Sequence, residues 1–267
     1  MALTLYEHKI LQRSNEWFDK YLAPEKTGPV SESDGPLLLL CMTPRSGSSA
    51  LSAALTSTGK LGRGGERLNR KDGGPLEEAL LSSPCGTRRQ VLDMVIAGSR
   101  TPNGVAQIKC DLAQIYPFLA DAESFERLKT ATWVYLTRQD ILGQAISRYR
   151  GFKTGFWHST GGKKTESPDA GYDFEEIRRQ VVFITDMMAS FERTFASIGV
   201  QPLRISYEEL TANEGGTLKK IADAMGIEID NDLTLEASGY SKVASSNTDE
   251  LRDRFLADFK SALVAGG

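Results

Sequence analysis

Leu37-Leu-Leu-Leu-Cys-Met-Thr-Pro-Arg-Ser-Gly-Ser-Ser-Ala-Leu51 reads as strand, tight turn and helix in one short stretch. The apolar run Leu37–Met42, bounded by Pro36 and Pro44, is too short for a helix. Its lack of alternation predicts a strand buried on both faces, as in a parallel sheet. The turn has small residues and one glycine, so its backbone N–H groups can converge on an anion. The helix behind it brings unpaired N–H groups and the positive end of its dipole to the same place. Ser46, Ser48 and Ser49 add hydroxyl donors, and Arg45 adds a planar charged fork. Pro44, Arg45, Ser46, Gly47, Ser48 and Ser49 therefore read as a phosphate cradle. The plainer reading of the same residues is a helix N-cap, where serine is common for capping alone. The loop is not a Walker A motif, because Ser48 follows Gly47, position 42 is Met and the phosphate-reaching lysine is missing. Gly161-Gly-Lys-Lys-Thr165 fails on spacing, and no buried strand precedes it.

Working outward, residues 3–22 predict an amphipathic helix, with Leu3, Tyr6, Ile10, Trp17 and Tyr21 near one face. Residues 24–36 read as a Pro/Gly linker. Residues 59–75 read as a long glycine-rich, charged loop of the kind that serves a site. Helical patterns follow at 75–82 and 86–98, and residues 112–129 are helical in pieces. Val105–Lys109, Thr132–Thr137 and Leu203–Ser206 predict further strands. Helices are expected at 140–149, 173–198, 218–225 and 248–263, with 151–172 as loop. Phe174, Ile177, Val181, Ile184, Met188, Phe191 and Phe195 form a stripe on the long helix, a core or dimer face. Trp133 and Phe183 read as core, and Arg88-Arg89 and Arg178-Arg179 as solvated helix faces. Alternating strands and helices predict an α/β fold. The expected architecture is a P-loop-like three-layer sandwich with a central parallel sheet flanked by helices. Residues 1–35 form an N-terminal helix and linker, and 36–267 a single domain.

Composition narrows the function. Lys plus Arg is 32 against 35 for Asp plus Glu, a formal net charge of −3. That argues against a generic nucleic-acid coat while permitting a local basic pocket. The two histidines, His8 and His158, are too few for a His-rich metal site. Cys41, Cys85 and Cys110 are odd in number and lack CxxC spacing, so neither a disulfide framework nor a zinc site is expected. The longest apolar run, Leu37–Met42, falls far short of the ~20 residues of a spanning helix. The N-terminus lacks a signal-peptide core. The expectation is a cytoplasmic protein with no membrane insertion, no nucleic-acid partner and no metal.

The cradle resembles the 5′-phosphosulfate loop of sulfotransferases, Thr-x-Pro-Lys/Arg-Ser-Gly-Thr/Ser-x-x-Leu, on Thr43, Pro44, Arg45, Ser46, Gly47, Ser48 and Leu51. Val134-Tyr-Leu-Thr-Arg138, with Ser147 on the next helix, is similar to the segment that holds the donor's 3′-phosphate in that family. Read alone, Arg138 would be a surface ion-pair partner. Thr58-Gly-Lys-Leu-Gly-Arg-Gly-Gly-Glu66, Arg100-Thr-Pro-Asn-Gly-Val-Ala-Gln-Ile-Lys109, Gln144-Ala-Ile-Ser-Arg148, Thr154-Gly-Phe-Trp157 and Ser206-Tyr-Glu-Glu-Leu210 resemble the bacterial Stf0-type sulfotransferases. Gly64, Arg67 and Leu68 stand where that family has a proline and an aromatic. Lys242-Val-Ala-Ser245 stands where it has an Arg-Gln pair.

The resemblance implies a reaction. A sulfuryl group passes in line from 3′-phosphoadenosine-5′-phosphosulfate (PAPS) to a hydroxyl of a small molecule, carbohydrate or glycolipid, leaving PAP. It implies Glu66 as general base and Arg45 as charge stabiliser. Arg138, Ser147 and Tyr207 join the cradle around the nucleotide, Lys109, Trp157 and His158 lie near the acceptor, and His158 is the other candidate base. A solvated loop glutamate and an exposed loop histidine are the plainer readings of Glu66 and His158. A snorkelling lysine and a packing tyrosine are those of Lys109 and Tyr207. A non-catalytic PAP-binding protein and a small-molecule kinase on the same scaffold are the alternatives. A homodimer is compatible with the pattern.

Overall fold

The computed structural model describes residues 4–25, 34–155, 157, 169–229 and 248–265. Four parallel strands form the sheet: β1 (Leu37–Met42), β2 (Ala106–Cys110), β3 (Thr132–Thr137) and β4 (Leu203–Ser206). Their order is β2-β1-β3-β4. β1 lies at the centre, with Cys41 opposite Cys110 on one side and Tyr135 on the other. All six β1 residues are buried. Period-2 geometry sends Leu37, Leu39 and Cys41 into one apolar cluster and Leu38 and Leu40 into another, on the opposite face. That double burial is why the run shows no alternation.

Helices cover both faces, giving the expected three layers. One face packs α2 (Ser48–Ser57), α9 (Tyr207–Ala212) and α10 (Glu214–Ala224) against the sheet through Leu51, Leu55, Leu210 and Ile221. The other carries α4 (Arg88–Gly98), α5 (Leu112–Leu119), α6 (Ala122–Lys129) and the long α8 (Phe174–Ile198). α1 (Leu5–Tyr21) and α3 (Pro75–Ser82) complete that layer. α7 (Ile141–Thr154), α8 and α11 (Thr248–Ala265) share a third cluster around Tyr149, Ile177 and Phe255. The chain leaves β1 toward β2 on one side and crosses back to β3 on the other. The crevice beyond the strand C-termini at such a reversal is where open α/β sheets bind ligands.

Several local expectations differ from what folds. The buried line of α1 runs Glu7, Ile10, Ser14, Phe18, so Phe18 is its anchor, and Trp17 and Tyr21 flank it. Glu7 tolerates burial because it closes a capping box with Thr4. α7 continues to Thr154, past the expected end at 149, until Gly155 at φ 69°. Gly151 does not break it, because the Trp157 ring packs on its bare Cα. On α8 Met187, not Met188, lies in the core. α9 was not expected, and α10 begins at Glu214 instead of 218; Ser206 and Asn213 cap them. Arg88 is no solvated bystander, since its guanidinium lies 5.0 Å from the Phe18 ring centre. Among the described residues no helix is long and apolar enough to cross a membrane.

Candidate functional site

The loop after β1 is built around a close backbone approach. Gly47, at φ 87°, caps α2, and a Cβ there would lie 2.5 Å from the Tyr207 ring. Only glycine meets both conditions. Arg45 sits at φ 68°, left-handed backbone that a side chain enters at a cost of about 1–2 kcal/mol. Gln144 of α7 holds the turn from behind, donating to Thr43 Oγ1 at 2.8 Å and to the Pro44 carbonyl at 2.7 Å. The α2 N-terminus has no side-chain cap. Ser46 is fully buried, and its hydroxyl has no hydrogen-bond partner among the described residues. An uncapped helix head beside an unsatisfied buried hydroxyl is an arrangement that an anion completes. The serines therefore do not serve as the N-cap.

Cations converge on this head. The Arg45 guanidinium donates to Ser147 Oγ at 2.9 Å and to the Trp157 carbonyl. Burial lowers its pKa from the ordinary value, and the nearby Arg138 and Arg150 charges lower it further. Arg138 leaves the end of β3 with its guanidinium 4.9 Å from the Tyr207 ring centre. It pairs with Asp140 at 3.2 Å, while its Nε is buried without a partner among the described residues. Burial pushes the Asp140 carboxyl up, yet the Gly143 N–H, Arg252 and Arg138 together hold it below the usual value. Arg252 of α11 grips both Asp140 oxygens at 2.9 and 2.8 Å. Arg150 donates to Thr248 at the start of α11. Sequence reasoning separated a 5′ cradle from an Arg138/Ser147 site. Through Arg45 and Ser147 they form one continuous basic patch.

Glu66 comes from the long loop. Its Oε1 pairs with Lys109 Nζ at 2.9 Å, and the same Nζ donates to Ser49 Oγ at 3.0 Å in the first turn of α2. Its Oε2 accepts from Gln114 Nε2 at 3.2 Å. The Lys109 N–H donates to the Gly65 carbonyl, fixing the loop beside β2. Lys109 is 6% exposed, so it is a buried bridge and not a snorkelling surface residue. Glu66, Lys109 and Ser49 thus link the candidate base to the cradle.

Ser48 is buried at the head of α2, and Tyr207 packs on the cradle and carries Arg138. Trp157 brings its backbone carbonyl to Arg45, while its ring meets Phe152 edge-on at 4.8 Å. His158 lies outside the described residues. Sequence reading missed Gln114, Asp140, Arg150 and Arg252. The Asp-x-x-Gln spacing of a capping box marks Gln114. No local signal marks Arg252, because its partner is 112 residues away.

The chain is similar to several known proteins. Crystal structures of retinol dehydratase, one with retinol and PAP and one with androsterone and inactive cofactor PAP, superpose at TM-scores of 0.49 and 0.47. They are 12% and 13% identical and cover 99% and 98% of this chain and 94% of each of theirs. Trehalose 2-sulfotransferase of Mycobacterium tuberculosis (strain ATCC 35801 / TMC 107 / Erdman) is 26% identical over 126 residues, 47% of this chain and 46% of the relative. The chain therefore spans about half the length of the curated relative it matches. The Stf0 sulphotransferase family model matches residues 87–258, which include Lys109, Arg138, Ser147 and Arg252. That match covers well over half of the sequence and takes in most of the basic patch, and the chain belongs to the Stf0 sulphotransferase family.

Proposed function

We propose that this protein transfers the sulfuryl group of PAPS to an acceptor hydroxyl, with Glu66 as general base. The observation that carries the reading is the chain Glu66–Lys109–Ser49, which ties a carboxylate to the uncapped head of α2 and its guanidinium patch. The residues fit such a donor. Among the described residues the Ser46 hydroxyl and the Arg138 Nε are buried without partners, and each donor suits a phosphate oxygen. Gly47 and Ser48 present backbone N–H groups for the 5′ end, and Arg138 and Ser147 stand ready for the 3′-phosphate. The donor supplies an activated sulfuryl group whose bond to the 5′-phosphate breaks as the acceptor oxygen bonds to sulfur. Glu66 takes the hydroxyl proton. Arg45 and the α2 head stabilise the charge that grows on the leaving phosphate. Lys109 sits between the two, near the transferred group.

The acceptor is a hydroxylated small molecule or glycan, with trehalose the first candidate on the relative's name. Incubation with labelled PAPS and a panel beginning with trehalose should transfer label to an acceptor and release PAP. Glu66→Gln should keep PAP affinity and lose about 10²–10⁴-fold in kcat, since an amide cannot accept the proton. PAP binding with no transfer to any acceptor, host extracts included, would leave a nucleotide-binding protein.

A further inference from the structure

We propose that Gln114 is a positioning residue for Glu66, holding the carboxylate with Oε1 turned toward Lys109 and favouring its ionised form. The inference rests on the reading of Glu66 as the base. Gln114 stands in the first turn of α5 and is 6% exposed. Its side-chain oxygen accepts from the Asp111 N–H at 3.3 Å, and its own N–H donates to Asp111 Oδ1 at 2.9 Å. This capping box commits the amide oxygen to the helix end. Only the NH₂ group is left to face Glu66, so the contact at 3.2 Å has a fixed polarity with Gln114 as donor. The turn itself is clamped, because the Ala113 and Gln114 carbonyls accept from Arg70, whose guanidinium lies 5.7 Å from the Phe18 ring centre.

Glu66 is thus held at each oxygen by a donor from a different element, Lys109 from β2 and Gln114 from α5. Asn69 in its own loop adds a contact at 3.5 Å. At the β2–α5 junction the Glu66 charge reaches the Asp111 carboxyl and, behind Cys41 and burial, the Cys110 thiol. Burial pushes the Asp111 carboxyl up and the Glu66 charge adds to that, while Arg70 opposes it. A neighbouring carboxylate disfavours ionisation of Glu66, and donated hydrogen bonds favour it. A glutamine that only capped α5 would do so through its oxygen alone. Here the second half of the same amide faces the candidate base.

The test is a ¹³C titration of protein labelled at glutamate carboxyl carbons, with the Glu66 resonance assigned by its loss in Glu66→Gln. Gln114→Met removes the donor at similar size. Gln114→Glu keeps the reach back to the helix end, which guards against a variant that fails to fold, but sets a carboxylate against Glu66. The Glu66 midpoint should rise in both, by about one pH unit in Gln114→Glu, with PAP affinity by calorimetry within about twofold of wild type. A folded Gln114→Met whose Glu66 midpoint stays at the wild-type value would overturn the inference, and if that variant does not fold, an unchanged midpoint in Gln114→Glu would do so. Turnover of labelled PAPS separates the two failures: full activity in Glu66→Gln would remove the base reading, whatever the midpoint does.

Discussion

At the scale of single residues, the described part of the site brings several arginines together around one carboxylate, Asp140. Burial, and then the Arg138 and Arg150 charges, lower the pKa of Arg45, and the nearby carboxylate of Asp140 is shared between Arg138 and Arg252. Like charges this close disfavour their own neighbourhood unless an anion joins them. Arg138→Ala should therefore weaken PAP binding tenfold or more, since a charge-assisted hydrogen bond contributes about 1.5–3 kcal/mol. Calorimetry on the variant checks this, and an unchanged dissociation constant would remove Arg138 from the donor site. Several of these residues were legible in the sequence because they sit at strand ends, where local pattern already locates them. The partnerships were not legible. Serine at 147 reads as a phosphate ligand beside Arg138, and only the folded chain reveals that Arg45 reaches it across 102 positions.

At the scale of elements, the loop between β1 and α2 is closely packed by its neighbours. Tyr207, from the start of α9, presses on the bare Cα of Gly47. Gly47→Val should force the left-handed backbone to relax and push the ring away, costing about 1–2 kcal/mol from the dihedral alone. Thermal unfolding should show the loss, with PAP stabilisation reduced at the same time. α11 makes a second coupling through Arg252 and Asp140. The folded-state pKa of Asp140 is depressed, so its contribution to stability is present above the unfolded value of 3.8 and is lost as pH falls through the lower folded value. Arg252→Ala should flatten that acid-side loss in a series of melts below pH 4, while wild type retains it. Pattern alone located β1, β3 and β4 to the residue and α3 likewise, because strong apolar runs and proline boundaries set their ends. It misplaced the end of α7, where Trp157 stabilises a helical glycine from outside the helix.

At the scale of the whole molecule, the parallel sheet gathers residues from four chain regions at its C-terminal edge. A ligand that spans the patch should bind the folded protein with all of it. PAP should therefore raise the melting temperature far more than AMP, because under the proposed function its 3′-phosphate would engage Arg138 in addition to the cradle. At 100 times its dissociation constant PAP adds about 2.7 kcal/mol, and equal shifts from both nucleotides would remove the second phosphate site. The sequence by itself determined the layers and the strand, turn and helix of β1 and α2. A six-residue run with no polar alternation has to be buried on both faces, and Pro44–Ser49 places a proline, a glycine and three serines within one short turn. Tertiary structure alone decided which groups share charge. The pairs Glu66–Gln114, Arg45–Ser147 and Asp140–Arg252 span 48, 102 and 112 positions. Their geometry comes from strand order and helix packing, which local periodicity does not encode.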